Sequence, residues 1–539
     1  MIKRPKLILL SGEIASGKSS LAQLLETNHQ FTIIKTSDIL KNTIKRNKSP
    51  NRIDLQKFGE KMDKETSGDW IVQESQEIIN SEIDKGRGII IDSVRIRDQI
   101  KSFRRSYGYS VFHVHLLANS NDIKSRYLKR PEANKNYELI KSNNTESKVN
   151  ELRKIADLVI NTSIFKTKED SYIFAASSMN LLSNTKSKNV DAIIGGQFGS
   201  EGKGQIAAYL APEYDCLVRV GGPNAGHKVF AKPLPYTFHL LPSGTLNSKN
   251  AKLILAPGAV INEDTLLKEI TRFNISTDRL LIDENATIIN TKNIRDEEKL
   301  SKIGSTKKGV GAATANNLFQ HRLNAITKHK AKESKKLKGF IGCTHQAIEK
   351  QIKRGNKILL EGTQGSNLSI YHGMYPFVTS RDTNIAGCLS ESGISPYRLN
   401  KLVLVTRRYP IRVKDPENGT SGGFGSDELT FEEISQRSGI PIKEIEKTEK
   451  GSVSLKTRRI AEFNWTLFRK TISINCPTDI AFTFSDYISI KNQDARRFNQ
   501  LTSETIEFIE MLEQFSGVPV SLIATGFGFR SIIDRRKWR

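Results

Sequence analysis

Apolar residues in this chain come in short unbroken runs set between glycine turns and helix-spaced segments. Leu7–Leu10 is one such run; a glycine loop follows, and Ser19–Glu26 then carries apolar residues at helical spacing. Gly88–Asp92, Val111–Leu117 and Asp157–Ile160 read as further strands. A strand that is apolar at successive positions is buried on both faces. Such strands alternating with helices predict an α/β fold, a parallel sheet covered on both sides in a three-layer sandwich. The pattern breaks at 183–189, a polar stretch without apolar period. Val190–Ile194 then begins a new buried strand that leads into a second glycine-rich turn. A chain that restarts its strand–loop–helix unit after a polar linker reads as a fusion of two domains, 1–182 and 190–539, joined by 183–189.

Composition narrows the class. The 539 residues are 37% hydrophobic, enough to bury real cores, and no stretch is long enough to span a bilayer. The apolar run at the N-terminus is four residues long and feeds directly into the glycine loop, so it reads as a buried strand and not a leader; a cytoplasmic location is expected. Cys216, Cys343, Cys388 and Cys476 are scattered without metal-ligand spacing, which suits reduced thiols. The net charge of +25 invites a nucleic-acid reading, with its densest run at Lys328–Lys338. No zinc-finger, RNP or helix-turn-helix pattern accompanies it. A positive field equally serves an enzyme of polyanionic nucleotides, so small molecules are the expected partners.

The first glycine loop, Gly12-Glu13-Ile14-Ala15-Ser16-Gly17-Lys18-Ser19, is a complete phosphate-binding loop. Glycines such as Gly12 and Gly17 bare consecutive backbone N–H groups that converge on phosphate oxygens at a helix start. Lys18 adds a charge between the β- and γ-phosphates, and the Ser19 hydroxyl suits Mg²⁺. The surrounding segment resembles small P-loop nucleotide kinases. That resemblance implies acceptor-side roles for Asp38, after the next strand, and for Asp92 and Arg95 of Asp92-Ser93-Val94-Arg95. Arg126 and Arg130 lie one helical turn apart, as a lid helix would present them to transferring phosphates, or simply on a solvated helix face. The stretch 132–150 lacks the arginine-dense lid of typical adenylate kinases. The domain therefore reads as a kinase or as an ATP-binding regulatory module.

The second loop runs Gly195-Gly196-Gln197-Phe198-Gly199-Ser200-Glu201-Gly202-Lys203-Gly204, and Asn224-Ala225-Gly226-His227 follows it. With 239–244, 256–258, Ile303–Gly311, Leu360–Gly365, His372–Ser380 and Ala524–Gly526, it resembles the adenylosuccinate synthetase family along the whole domain. The resemblance implies a large, mostly parallel sheet, a homodimer, Mg²⁺, and ATP or GTP as phosphoryl donor. It implies a reaction in which the 6-oxygen of a purine nucleotide is phosphorylated and then displaced by the amino group of L-aspartate. Lys203 would neutralise donor phosphates and His227 would stabilise charge on the 6-oxygen. Gln364, Thr306, Thr379 and Asn224 would hold or orient the acceptor, and Gly226 would offer its carbonyl to Mg²⁺. Further nucleotide contacts are implied for Gly199, Glu201, Gly202, Gly204, Ser305, Asp486, Thr525 and Gly526. Val453, Ser454, Lys456 and Arg458 would hold aspartate, the arginine bidentately.

Three departures bear on the substrate. Ser200 stands where the family carries the aspartate that removes the purine N1 proton and helps hold Mg²⁺. The base-reading stretch is Thr483-Phe484-Ser485-Asp486 in place of Thr-Lys-x-Asp. The domain is also shorter than the usual bacterial enzyme. All three resemble the branch that makes 2-aminoadenylosuccinate from dGMP with ATP as a possible donor. A small serine leaves room for a 2-amino group that a carboxylate would crowd. Steric discrimination of this kind is limited, so IMP stays open as acceptor. A nucleotide-sensing protein that has lost its base is a third reading. Ala312–Gln320 also lacks the family's arginine that reaches across the dimer, Arg322 being the nearest candidate.

Overall fold

The computed structural model describes residues 5–44, 52–129, 149–182, 187–230, 235–299, 303–304, 306–320, 329–451, 456–493, 495–528 and 531–536. Internal contacts divide the chain into two compact units, Met1–Asn184 and Thr185–Arg539.

In the first unit, β1 (Leu7–Gly12), β2 (Phe31–Lys35), β3 (Gly88–Asp92), β4 (Val111–Leu117) and β5 (Leu158–Asn161) form one sheet in the order β2-β3-β1-β4-β5. Every pairing is parallel. Leu7, Leu9, Ile89 and Ile91 pack in one core, and Ile8, Leu10, Ile90 and Val114 in another. Successive side chains thus feed opposite faces, which is why β1 needs an unbroken apolar run. α1 (Lys18–His29), α2 (Thr36–Thr43), α3 (Arg52–Thr66), α4 (Trp70–Asp84), α5 (Arg97–Tyr107), α6 (Ser120–Leu128) and α7 (Lys168–Ser178) are its α-helices among the described residues. The edge strand β2 is only partly buried, so its apolar pattern is the least continuous.

The second unit is built on ten strands: β6 (Val190–Gly195), β7 (Cys216–Arg219), β8 (Lys252–Leu255), β9 (Leu280–Asp283), β10 (Ile341–Gly342), β11 (Ile358–Glu361), β12 (Leu399–Arg407), β13 (Asp479–Thr483), β14 (Val520–Ala524) and β15 (Ile532–Asp534). Their order is β10-β9-β8-β7-β11-β6-β12-β13-β14-β15, and only the last pairing is antiparallel. This large, mostly parallel sheet matches the α/β expectation. Ile193 packs on one face while Ala192 and Ile194 pack on the other. Ligand sites in such sheets lie beyond the carboxyl ends of the strands. β6 in the middle of the sheet delivers the second glycine loop there.

Among the described residues no helix is long and apolar enough to cross a membrane. No group of three or more His, Cys, Asp or Glu among them is placed to hold a metal ion, and the four cysteines are free.

Candidate functional site

β6 ends at Gly195, and residues 196–202 turn into α8 (Lys203–Leu210). Glu201 is fully buried and organises this turn from beneath. Its Oε1 accepts the backbone N–H of Gln197 (3.0 Å) and of Gly199 (2.8 Å), and its Oε2 accepts Lys203 Nζ at 2.5 Å. A Cβ on Gly195 would lie 2.6 Å from that carboxylate and 2.7 Å from the Lys203 amine, so only glycine fits. Ser200 sits at the exposed tip with a left-handed φ of +58°, uncommon outside glycine and characteristic of functional turns.

The turn opens on a cavity of about 1270 Å³, larger than a single small-ligand cleft. Ser200, Lys203, Gly199, Gly202 and Gly204 meet there with Asn224, Gly226, His227, Thr306, Gln364 and Thr379, and with Arg458, Asp486 and Gly526. Two amide oxygens in its wall, Asn224 Oδ1 and Gln364 Oε1, are buried without a hydrogen-bond partner among the described residues. Gln364 has φ +64° and donates its amide N–H to Thr379 Oγ1 at 2.7 Å. Buried acceptors left open in a native fold point to a ligand or water that satisfies them.

His227, on the strand beside α8, hydrogen-bonds through Nδ1 to Glu361 Oε1 and lies 3.2 Å from Ser243 Oγ. Glu361, at the end of β11, also accepts the Ser243 backbone N–H at 2.7 Å and lies 3.6 Å from the Arg219 guanidinium. Burial, then the nearby Arg219, push His227 down to about 4, so the ring is neutral near pH 7. Burial opposes ionisation of Glu361, but Arg219 and His227 outweigh it and hold the carboxyl at about 2. Nδ1–H therefore belongs to the carboxylate, and Nε2 is the ring nitrogen available to the cavity.

At the other end of the cavity Phe484 is left-handed (φ +55°) and carries the Arg407 guanidinium over its ring at 3.9 Å. Arg407 pairs with Glu449 at 2.6 Å, and Arg458 reaches the same carboxylate at 3.4 Å. Burial raises Asp486 to about 6, against its own backbone amide and Arg407.

Not every expected residue reaches the cavity wall. Glu201 supports the loop from below, its oxygens already taken by loop amides and Lys203. Thr525 is buried and donates its hydroxyl to the Ala495 carbonyl at 2.9 Å; its neighbour Gly526 is the one that lines the cavity. Lys456 is exposed outside the wall. Ser305, Val453, Ser454 and Arg322 lie outside the described residues. Glu361, Arg219 and Arg407 were missed as site residues, although Glu361 stands inside a recognisable Glu-Gly-Thr-Gln-Gly segment.

In the first unit Lys18 Nζ donates to the carbonyls of Gly12 and Glu13, both at 2.7 Å, and Ser19 Oγ donates to Asp92 Oδ2 at 3.2 Å. Gly17 (φ +105°) caps α1 with no side-chain cap, leaving the helix N–H groups for an anion. Asp38 is exposed in the first turn of α2 beside Lys41 (3.1 Å), and the Arg95 backbone N–H donates to Gln99. Arg126 is turned inward: it donates to Thr162 Oγ1 at 2.8 Å, and Thr162 donates to the Ser16 carbonyl. It therefore braces the loop and does not project from a lid. Arg130 is outside the described residues. A second cleft of about 460 Å³, lined by Glu13, Asn119, Asn150, Arg153, Lys154 and Asn161, opens beside the loop.

A cavity of this size, entered by a glycine loop and floored by a neutral histidine on a buried carboxylate, defines a nucleotide-dependent enzyme. The family model for adenylosuccinate synthetase matches residues 192–324 and 313–493, and the chain belongs to that family. Its second unit is thus a carbon–nitrogen ligase joining aspartate to a purine nucleotide. A model for chloramphenicol phosphotransferase-like protein matches residues 5–177, a P-loop kinase-like domain. Adenylosuccinate synthetase of Methanocaldococcus jannaschii is 34% identical over 354 residues, covering 64% of this chain and 96% of the relative. That of Archaeoglobus fulgidus is 33% identical over 355 residues, 64% and 98%. Among solved structures, the fully ligated Plasmodium falciparum adenylosuccinate synthetase superimposes with a TM-score of 0.55 at 22% identity over 65% of this chain and all of that one, a likeness of fold. The cyanophage S-2L succinoaminodeoxyadenylate synthetase bound to dGMP and dATP gives 0.54 at 25% identity, over 65% and 96%. Archaeal relatives bearing the adenylosuccinate synthetase name are matched over nearly their whole length, so shortness of the domain does not mark the dGMP branch.

Proposed function

We propose that the second unit joins L-aspartate to C6 of dGMP or GMP, with ATP or GTP as donor, giving 2-amino-(deoxy)adenylosuccinate. The observation that carries this reading is Ser200, a small hydroxyl at the cavity tip where a base would stand. The cyanophage neighbour, which holds dGMP, supports it. Lys203 and the start of α8 would bind the donor phosphates, and the open amide oxygens of Asn224 and Gln364 would bind acceptor N–H groups. As O6 takes the phosphoryl group, the N1 proton has to leave. Ser200 is too weak a base to take it. Neutral His227 can accept it at Nε2, and Glu361 then stabilises the imidazolium, which donates back to the oxygen on C6. The aspartate amine forms the new bond at C6, the C6–O bond breaks, phosphate departs with the proton returned by His227, and the amine passes its proton to the His227 Nε2 so freed. Arg458 would face an aspartate carboxylate by exchanging part of its contact with Glu449.

Hard oxygens suit Mg²⁺: the Gly226 carbonyl and Ser200 hydroxyl here, and Ser19 beside Asp92 in the first unit. The ion, when bound, screens phosphate charge. The first unit would transfer phosphoryl groups from ATP to a purine monophosphate upstream or downstream of the ligase. We also propose the homodimer that the family implies.

The test offers full-length protein L-aspartate, Mg²⁺ and ATP or GTP with dGMP, GMP, IMP and dIMP in parallel, with products read by mass. An aspartate adduct on dGMP or GMP is expected. An adduct on IMP alone would return the chain to adenylosuccinate synthesis, the reading favoured by the higher identity of the archaeal relatives. Phosphoryl transfer to any purine monophosphate should vanish in Lys18→Ala; if the parent shows none, the kinase reading fails.

A further inference from the structure

Beneath the first glycine loop runs a chain of polar side chains that phosphate binding does not itself require. Ser11, just before Gly12, lies opposite His115 of β4, and Leu9 lies opposite His113. The Ser11 hydroxyl is 2.6 Å from His113 Nε2 and 2.7 Å from His115 Nδ1, and all three residues are fully buried. Asn150 faces His115 from the other side and donates its amide N–H to the Glu13 carboxylate in the loop. The chain runs His113–Ser11–His115–Asn150–Glu13, from the sheet interior to the loop.

This chain is one proton short. A hydroxyl has a single proton to give, so with both rings neutral Ser11 donates to one and accepts from the other. If Ser11 donates to His113, then His115 donates through Nδ1 and turns a bare Nε2 toward Asn150. The Asn150 N–H is already held by Glu13, so two acceptors face each other. If Ser11 donates to His115, the bare nitrogen is His113 Nδ1, and it faces the Ile155 carbonyl, another acceptor. His113 Nδ1, His115 Nε2 and Asn150 Oδ1 are indeed all without a hydrogen-bond partner among the described residues. A second proton on His115 resolves every contact at once: Nδ1–H to Ser11, Nε2–H to Asn150, Ser11 to His113 Nε2, and His113 Nδ1–H toward Ile155.

Burial, and after it the charge of the loop, keeps that proton away. His115 is held at about 4 by burial, then by Lys18 of the loop and Arg153 of the segment after Asn150. On the same face of the strand, His113 is likewise at about 4 through burial, with His115, Arg104 and Asp157 acting on it. Glu13 closes the chain at the loop end. A polyphosphate in the loop would draw Lys18 off the Gly12 and Glu13 carbonyls and neutralise it, and Arg153, which lines the adjoining cleft, would be screened by the same ligand. We propose that binding of a nucleoside di- or triphosphate in this loop is coupled to uptake of one proton by His115, completing the chain and fixing Glu13. The inference rests on the reading of the loop as a nucleotide site.

Because the proton is gained on binding, affinity rises as pH falls. Calorimetric titration of full-length protein with MgADP near neutral pH, in buffers of differing ionisation enthalpy, counts protons taken up. Subtracting the same titration of Lys18→Ala isolates this site from the second cavity. The Lys18-dependent step should take up a fraction of a proton near neutral pH that grows toward one as pH is lowered, and its affinity should strengthen by up to about tenfold per pH unit lowered. His115→Gln, and Ser11→Ala, which keeps both rings, should each bind with little or no uptake. Lys18-dependent binding without uptake, or uptake unchanged in both variants, overturns the coupling. No Lys18-dependent binding at all overturns the nucleotide reading instead.

Discussion

The two glycine loops begin alike and differ in what fills them. Each leaves a central strand, and each places a left-handed glycine, Gly17 or Gly202, before a lysine at the first helical position. In the first loop Lys18 is half-buried and rests on neutral carbonyls of its own turn. In the second, two loop amides and Lys203 converge on the Glu201 carboxylate, much as such groups would converge on a phosphate. A fully buried ammonium needs a counter-charge, whereas a half-exposed one retains water. On the proposed reading, Lys18 of the first loop would have to leave these carbonyls to reach a phosphate. The second is set in advance by its own side chain. Similar sequence patterns thus yield one lysine held by backbone carbonyls and one held by a buried carboxylate.

Removing the two lysines should separate these cases most strongly. Lys203→Ala strands a buried carboxylate and should destabilise the second unit by about 3–5 kcal/mol in urea unfolding, with ligase activity lost. Lys18→Ala should change stability by no more than about 1 kcal/mol while abolishing nucleotide binding at its loop. A Lys203→Ala protein as stable as its parent would sink the idea of an internally filled loop. A smaller effect is expected at Ser200: in Ser200→Asp the ratio of IMP to dGMP turnover should rise by about 10–100-fold, measured as kcat/KM for each. If both substrates change in parallel, Ser200 does not set the choice. The smallest effect concerns acid. His113, His115 and His227 all sit at about 4 in the fold against an ordinary value near 6.5. Their unfolded forms bind protons more readily, so this stability is intact above 6.5 and is lost as pH falls through 4. Burial also lowers His239 in the second unit, so each unit carries two lowered rings, and the first, with both at about 4, should lose more over that window. Unfolding midpoints of the two units followed from neutral pH downward test this; equal losses would remove the distinction.

Much of this was legible along the chain. Leu7–Leu10 and Val190–Ile194 announce central strands because burial on both faces demands consecutive apolar residues. The edge strand Phe31–Lys35 announces itself less clearly, since a partly exposed strand keeps no such run. The loops and the Asn224–His227 segment identified the cavity wall because backbone geometry there depends on glycine at fixed spacing. Helical spacing places Arg126 on a face, but only the packing of the turn after β5 against the loop shows that it donates to Thr162. The Thr525 hydroxyl is likewise held by the Ala495 carbonyl, 30 residues earlier, a contact that no local pattern shows.

The sequence by itself determined the two α/β units, the two glycine loops and the family, because periodicity and glycine placement are local properties. The tertiary structure alone decided the state of the charged groups. Glu361 and His227 stand 134 residues apart, and Arg407 meets Glu449 and Phe484 from separate strands and loops. The serine between two histidines likewise exists only once β1 and β4 are in register. Protonation depends on burial and on neighbours brought from far along the chain, and no local pattern encodes either.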